Sequence, residues 1–285
     1  MHNFKTLDSV NNRVIYDSFI EAFSDYQIKL SLDYESFQDI NRRRGFSTKI
    51  SVAAFNDTKI IGLILNGLRD WQGKLTCYDM GTGVLPEYRR RGVTSQMFHF
   101  VLSELKKKHV QQYLLEVLQE NTAAIELYKK EGFQVTREFV CWKLDAIHLE
   151  RKSKAELIYV ESFDETDWYC AEKFWDYNPS WQNSRDSIEA VKEKFVYCKA
   201  YINQEFVGYG ILDKTNGDFP QLAVHSKYRH QGIGKDIVSS FFKHTSLQHF
   251  KMINVDKDCL EMQSFLTDLH ATILIMQFEM IKEII

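Results

Sequence analysis

The chain carries one stretch twice. VLPEYRRRGVTSQMF begins at Val84, and VHSKYRHQGIGKDIV begins at Val224. Val84 and Val224, Tyr88 and Tyr228, Arg89 and Arg229, and Gly92 and Gly232 are each 140 residues apart. The residues that follow keep the offset: Val93, Met97 and Val101 match Ile233, Ile237 and Phe241. Apolar residues at this spacing line one face of a helix, so each copy opens a helix with a buried stripe. Farther on, Val117 and Val255, and Leu127 and Phe265, are 138 residues apart, a loop-sized change. A repeat of this length points to two copies of one unit. Two unrelated units with a chance loop match are the other reading. The 285 residues accommodate two domains of roughly 150 residues each.

In the first half the periodicity predicts a helix over 13–26, with Val14, Ile15, Phe19, Phe23 and Tyr26 on one stripe. A second helix is expected over 33–44, stopped by Gly45. Strands are expected over 49–55 and 59–66, joined by the turn Asn56-Asp57-Thr58, and over 75–84, 112–118 and 133–144. Helices over 92–108 and 122–131 lie between the last three. The order implies a mixed α/β fold, a twisted sheet flanked by helices. The polar stretch 146–155 reads as a linker between domains 1–145 and 156–285. The second half repeats the order: helices over 166–175 and 184–195, strands over 198–204, 206–212 and 220–224, a helix from Gly232, a strand over 251–256 and a helix over 261–269.

Composition narrows the function classes. Net charge is −3, and the halves on either side of residue 145 carry +2 and −5. Neither supplies the basic field that nucleic acid requires, so no nucleic-acid partner is expected. Cys77, Cys141, Cys170, Cys198 and Cys259 form no CxxC pair, and the histidines show no ligand spacing. No metal is expected. His225 and His230 flank the second loop as surface residues, and no histidine partner for a nucleophilic Cys259 is legible. No stretch approaches the ~20 apolar residues of a membrane helix, and Met1 to Asp8 lacks a secretory pattern. A cytoplasmic protein with no membrane partner is the expectation.

In both copies a strand ending in Val runs through a polar turn into a helix, with Arg, Gly and a small residue in fixed places. A helix N-terminus offers N–H groups without intrahelical partners, and its dipole favours anions. Glycine lets the backbone approach closely, and arginine adds charge-assisted bonds. The pattern therefore suits a phosphate cradle, while lacking the Walker and dinucleotide fingerprints. In the first copy it comprises Gly83, Val84, Arg89, Arg90, Arg91, Gly92, Val93, Thr94 and Ser95; in the second, Val224, Arg229, Gly232 and Gly234.

These loops, together with NTAAIELYKKEGF, which holds Asn121, Ala124, Tyr128, Gly132 and Phe133, resemble the GNAT superfamily of acyl-CoA-dependent N-acyltransferases. The family loop is Gln/Arg-x-x-Gly-x-Gly/Ala after a strand ending in Val. The resemblance covers most of 1–145; in 156–285 it covers the loop well and the rest weakly. It implies two tandem GNAT-like α/β domains. The cosubstrate it implies is acetyl-CoA, with pantetheine and pyrophosphate held at the loop. Thr94 departs from the usual Gly or Ala. In the second half Cys259, Met262, Leu266, His270 and Ala271 stand where Asn121, Ala124, Tyr128, Gly132 and Phe133 stand in the first.

The activity implied is direct transfer of an acetyl group to a primary amine of a small molecule or peptide, with the first half as catalyst. Tyr128 is either a core residue of its helix or the phenol that protonates the departing thiolate; a phenol titrates near ~10. Asn121 serves as helix cap, cofactor contact or both. Asp79, Glu116 or a water chain takes the amine proton. Phe23, Tyr26, Phe37 and Trp71 are candidates to line the acceptor pocket. The second half is expected to be a structural partner, its pocket either binding without turnover or blocked. Two alternatives of other classes stand beside this. One is a CoA-sensing or interaction module with little turnover. The other is aminoacyl transfer from charged tRNA, against which the acidic second half counts. Oligomeric state is not legible.

Overall fold

The computed structural model describes residues 2–25, 32–146 and 153–284. Its elements in chain order begin β1 (Asn3–Thr6), α1 (Asn12–Ala22), α2 (Tyr34–Arg44), β2 (Val52–Asn56), β3 (Lys59–Trp71) and β4 (Lys74–Val84). Then come α3 (Val93–Lys107), β5 (Gln112–Leu118), α4 (Thr122–Lys130), β6 (Gln134–Asp145) and β7 (Glu156–Val160). The remainder is α5 (Glu165–Ala171), α6 (Arg185–Glu189), β8 (Phe195–Ile202), β9 (Glu205–Asp213), β10 (Gln221–Val224), α7 (Ile233–His244), β11 (His249–Asp256), α8 (Leu260–Asp268) and β12 (Thr272–Glu283). The predicted order is present in both halves. Sequence periodicity did not reveal β1, β7 or β12.

The chain forms two compact units. Unit 1 comprises Met1–Thr136 with Phe278–Ile285, and unit 2 comprises Arg137–Gln277. The sequence placed the division within 146–155, of which 147–152 lie outside the described residues. The contacts place it earlier because most of β6 pairs with β11 of unit 2, from Phe139↔Asp256 to Asp145↔His249. The final residues of the chain return to unit 1, where the Ile284 N–H donates to the Gln111 carbonyl at 2.8 Å.

Unit 1 is built on the antiparallel run β1-β2-β3-β4, with β5 joined to β4 in parallel. The β2–β3 turn places Asp57 at φ 54, a left-handed position that short-chain Asp tolerates. Helix α1 is capped by Asn11, whose side chain accepts from the Arg13 N–H, and it ends at Ala22. The predicted stripe is therefore shorter than expected: Ile15 and Phe19 are buried, Val14 is exposed, and Tyr26 lies outside the described residues. Asp33 caps α2, and Gly45 closes it at φ 75. Helix α3 buries Val93, Met97, Phe98, Val101 and Leu105 against the sheet.

Unit 2 has the antiparallel run β10-β9-β8-β7 beside the β6–β11 pair. Helix α7 buries Ile233, Ile237, Val238 and Phe241. Gly210 on β9 makes room for it, since a Cβ there would stand 2.7 Å from Ile237 and 2.9 Å from Phe241. Another glycine repeats between the units. Gly62 faces Val84 across β3–β4, and Gly208 faces Val224 across β9–β10. In each case a Cβ would crowd the Val side chain, at 3.0 and 3.2 Å.

Candidate active site

The two loops fold alike. After β4 a 3-10 turn at Pro86–Tyr88 leads to Arg90 at φ 60 and Gly92 at φ 72, where α3 begins. After β10 a turn at Ser226–Tyr228 leads to His230 at φ 60 and Gly232 at φ 86, where α7 begins. The left-handed conformation at the N-cap is what demands glycine. At Gly92 the nearest atom to an added Cβ is Gln96 Nε2 at 3.7 Å, so the space beyond is open. The first α3 amide with a turn partner is that of Gln96, bonded to the Gly92 carbonyl at 3.1 Å. Among the described residues, the N–H groups of Arg90 through Ser95 have no protein acceptor. The same holds for His230 through Lys235. Six successive donors at a helix N-terminus fit a diphosphate.

The arginine of each loop does something sequence reasoning did not assign. Arg89 Nε donates to the Val84 carbonyl at 2.9 Å, and its Nη atoms meet the Ala22 carbonyl at 3.1 Å and both Asp25 oxygens at 2.6 and 2.7 Å. Arg229 repeats this with the Val224 carbonyl at 2.9 Å, the Phe174 carbonyl at 3.3 Å and Asp176 at 2.9 Å. Their guanidinium donors are committed to the protein, so these arginines tie the loop to the helical segment in front of it. The Asp25 pairing holds that carboxyl below its usual range. Arg90 and Arg91 are exposed, and Arg91 stacks over Tyr88 at 5.6 Å. The acidic partners Asp25 and Asp176 were missed, although an Asp-Tyr pair marks both in the sequence.

Beside each cradle the sheet divides. Parallel pairing of β4 with β5 runs from Thr76↔Gln112 to Asp79↔Leu115 and stops, although both strands continue. A bulge in β4 interrupts its register with β3 at the same level, between Leu65↔Gly81 and Asn66↔Asp79. In unit 2 the corresponding parallel contact is a single bridge, Asp218↔Lys251.

Asp79 and Glu116 flank this opening on opposite faces. Glu116 accepts from the Tyr78 hydroxyl at 3.2 Å on the face where Arg44 of α2 reaches the Met80 carbonyl at 3.4 Å. Asp79 shares the other face with Cys77 and Tyr113, whose ionisations are opposed first by burial and then by the Asp79 charge. Asp79 is buried, and desolvation pushes its carboxyl up to about 6, against the pull of bonds from Thr82 Oγ1 at 2.7 Å and the Gly81 N–H at 2.8 Å. Tyr128 stands on the Asp79 face. Its half-buried ring packs edge-on against Phe98 and Phe133, each at 5.8 Å. Asn121 caps α4, its side chain accepting from the Ala124 N–H at 3.2 Å.

The acceptor-pocket candidates separate. Phe23 packs at Gly83, where an added Cβ would lie 2.7 Å from its ring, and Phe37 meets Phe19 at 5.4 Å. Trp71 is paired with Lys74 at the opposite end of the β3–β4 hairpin, away from the opening, because β3 continues five residues beyond the predicted end. Tyr26 lies outside the described residues.

Unit 2 holds a cavity of about 890 Å³. It runs from the loop residues Arg229–Lys235 past β10 and Met252 to Trp175, Tyr177, Asn183 and Tyr209. Of the two alternatives left for this pocket, binding without turnover or blockage, the cavity excludes the second: Met262 lines it and leaves it open. Gly234 is held close to α8, where a Cβ would meet Phe265 at 3.1 Å. Leu266, in the place of Tyr128, is fully buried in the core. Burial pushes the Cys259 thiol up, the reverse of an activated nucleophile. No helix of the described residues is long and apolar enough to cross a membrane.

Comparison with known proteins agrees with this geometry. The sequence matches the acetyltransferase (GNAT) family over residues 13–133 and 162–259. It is 31% identical over 135 residues to the probable N-acetyltransferase san of Drosophila melanogaster, a match spanning 47% of this chain and 64% of that protein. The fold is similar to a tandem GNAT protein from the clavulanic acid biosynthesis pathway, with a TM-score of 0.73 at 12% identity over 99% of this chain and 98% of that one. It is also similar to a GCN5-related N-acetyltransferase from Sphaerobacter thermophilus, with a TM-score of 0.72 at 13% identity over 99% and 96%. A repeated amide cradle, a sheet that divides beside it and a family match in both halves lead to one conclusion: the chain belongs to the GNAT acetyltransferase family, with two GNAT units in tandem.

Proposed function

We propose that the protein transfers the acetyl group of acetyl-CoA directly to a primary amine, and that unit 1 carries the complete set of residues for it. The observation that carries this reading is the row of unpartnered amides from Arg90 to Ser95 beside the point where β4 and β5 part. Those amides hold the diphosphate. The bound thioester supplies an activated acetyl group and a thiolate leaving group. Val84, Gly83 and the edge of β4 left unpaired by β5 flank the pantetheine arm, with Asn121 and Ala124 at the start of α4 on its other side. Arg89 acts as a positioning residue through Asp25 and the Val84 carbonyl.

The amine enters from the side covered by α1 and α2, where Phe23 and Phe37 lie. Glu116 is the carboxylate on that face, and Asp79, with a carboxyl poised near about 6, is the alternative proton acceptor. Tyr128 hands its proton to the thiolate. Alignment of amine and thioester supplies most of the rate enhancement. Tyr128→Phe keeps the ring packed against Phe98 and Phe133 and removes one hydroxyl. Single-turnover thiol release should slow by on the order of 10²-fold, with acetyl-CoA affinity unchanged. An unchanged rate would return Tyr128 to the role of a core residue.

A further inference from the structure

The unit 2 cavity holds a phenol that no family motif places there. Tyr177 lines it, half-buried. Among the described residues its hydroxyl makes no hydrogen bond, yet it is not sealed from the cavity. Its position is enforced from one residue away. Asp176 pairs with Arg229, whose Nε holds the Val224 carbonyl, so Tyr177 is tied to the base of the cradle. The groups around it are Cys259 at the start of α8, Asp256 at the end of β11, Arg137 and Asp176. Cys259 corresponds to Asn121, and Tyr177 lines the same cavity as the cradle residues Gly232–Lys235 and Leu260, Glu261 and Met262 at the start of α8. Asp25 and Asp176 each hold a loop arginine, and in the sequence a tyrosine follows both.

We propose that Tyr177 is the proton donor of a second acetyl-transfer centre in unit 2, replacing from the α5–α6 segment the phenol that Leu266 cannot supply. The proposal rests on the reading that these cradles hold acetyl-CoA. A phenol is protonated at neutral pH, the form a donor needs, and burial pushes the ionisation of this one further up. In the step, the amine nitrogen bonds to the acetyl carbon and the carbon–sulfur bond breaks, its electron pair going to sulfur. The Tyr177 proton passes to that sulfur, and the proton shed by the nitrogen restores the phenol through cavity water. The cavity is continuous from cradle to the Trp175, Tyr177 and Tyr209 rings, so it has room for an amine acceptor with an aromatic or apolar body. This assigns chemistry to a half that sequence alone marked as a structural partner.

The test uses the full chain and coenzyme A. Calorimetry counts the bound coenzyme, and ultraviolet thiolate absorbance against pH titrates its bound thiol. Two coenzymes should bind per chain. Tyr177→Phe should leave both binding steps within about threefold while raising the ionisation of one bound thiol by about one to two pH units, the scale of one hydrogen bond to a charged acceptor. Tyr128→Phe should raise the other. Among the described residues the hydroxyl has no protein partner, so the phenylalanine variant loses no internal bond found there. Two bound coenzymes with an unmoved thiol titration in Tyr177→Phe would overturn the phenol's role and leave the cradle reading standing. A single bound coenzyme that persists in a Gly232→Glu chain would overturn the second centre altogether.

Discussion

At the residue scale, two side chains carry the clearest tests. Asp79 titrates near about 6 in the fold against 3.8 in the unfolded chain because burial disfavours its charge. The raised value means the folded state holds the proton more tightly. Stability from this group is therefore greatest below about pH 4 and falls as pH rises through about 6, by at most about 3 kcal/mol. Asp79→Asn should flatten that fall, so that its stability advantage in urea is present at pH 7.5 and absent at pH 4. If Asp79 is also the proton acceptor, the limb of the rate profile near pH 6 should vanish with it and persist in Glu116→Gln. The second test concerns Gly92. Gly92→Ala meets open space and incurs only the left-handed strain, about 1 kcal/mol. Gly92→Glu adds an anion at the proposed diphosphate site. Calorimetry should find acetyl-CoA binding at unit 1 largely kept in the first variant and lost in the second. Glycine and its helix were legible in the sequence. The commitment of Arg89 to Asp25 was not, because a guanidinium that caps carbonyls and one that grips phosphate look alike in one dimension.

At the scale of elements, both loops are held by what lies behind them. Helix α7 settles on β9 only because Gly210 lacks a side chain. Gly210→Ala should cost about 1–3 kcal/mol by overpacking, read from chemical denaturation, and should shift the start of α7 and weaken coenzyme binding in unit 2. Exposed Gly73→Ala, where a Cβ meets nothing within 4 Å, is the comparison: it carries only the strain of φ 78. Helix positions were legible because apolar residues recur every three or four places, as in α3 and α7. The strands β1, β7 and β12 were not. β1 and β7 are four and five residues long, too short for alternation to stand out, and much of β12 alternates poorly because its outer residues are only partly covered.

At the scale of the whole molecule, the halves in sequence are not the units in space. Phe278–Ile285 complete unit 1, with Met280 fully buried, Glu283 paired with Lys74 at 2.8 Å and Lys282 donating to the Glu131 carbonyl at 2.6 Å. A chain ending at Gln277 should therefore lose hydrogen-exchange protection in β5, in unit 1, while α7 and β9 in unit 2 keep theirs. A fragment 1–145 should fail to unfold cooperatively even though it contains every family motif of the first half. What the sequence determined alone is local or periodic: the repeat, the α/β order, the glycine-led loops and the family. These depend on backbone geometry and helical spacing, which neighbouring residues set. Tertiary structure decided the rest. It revealed that loop arginines bind carboxylates, that Asp79 and Glu116 face opposite ways, that the second cavity is open, and that the residues from Phe278 onward complete unit 1. Each of these depends on residues far apart in the chain meeting in space, and on the desolvation and charge pairing that follow from the meeting.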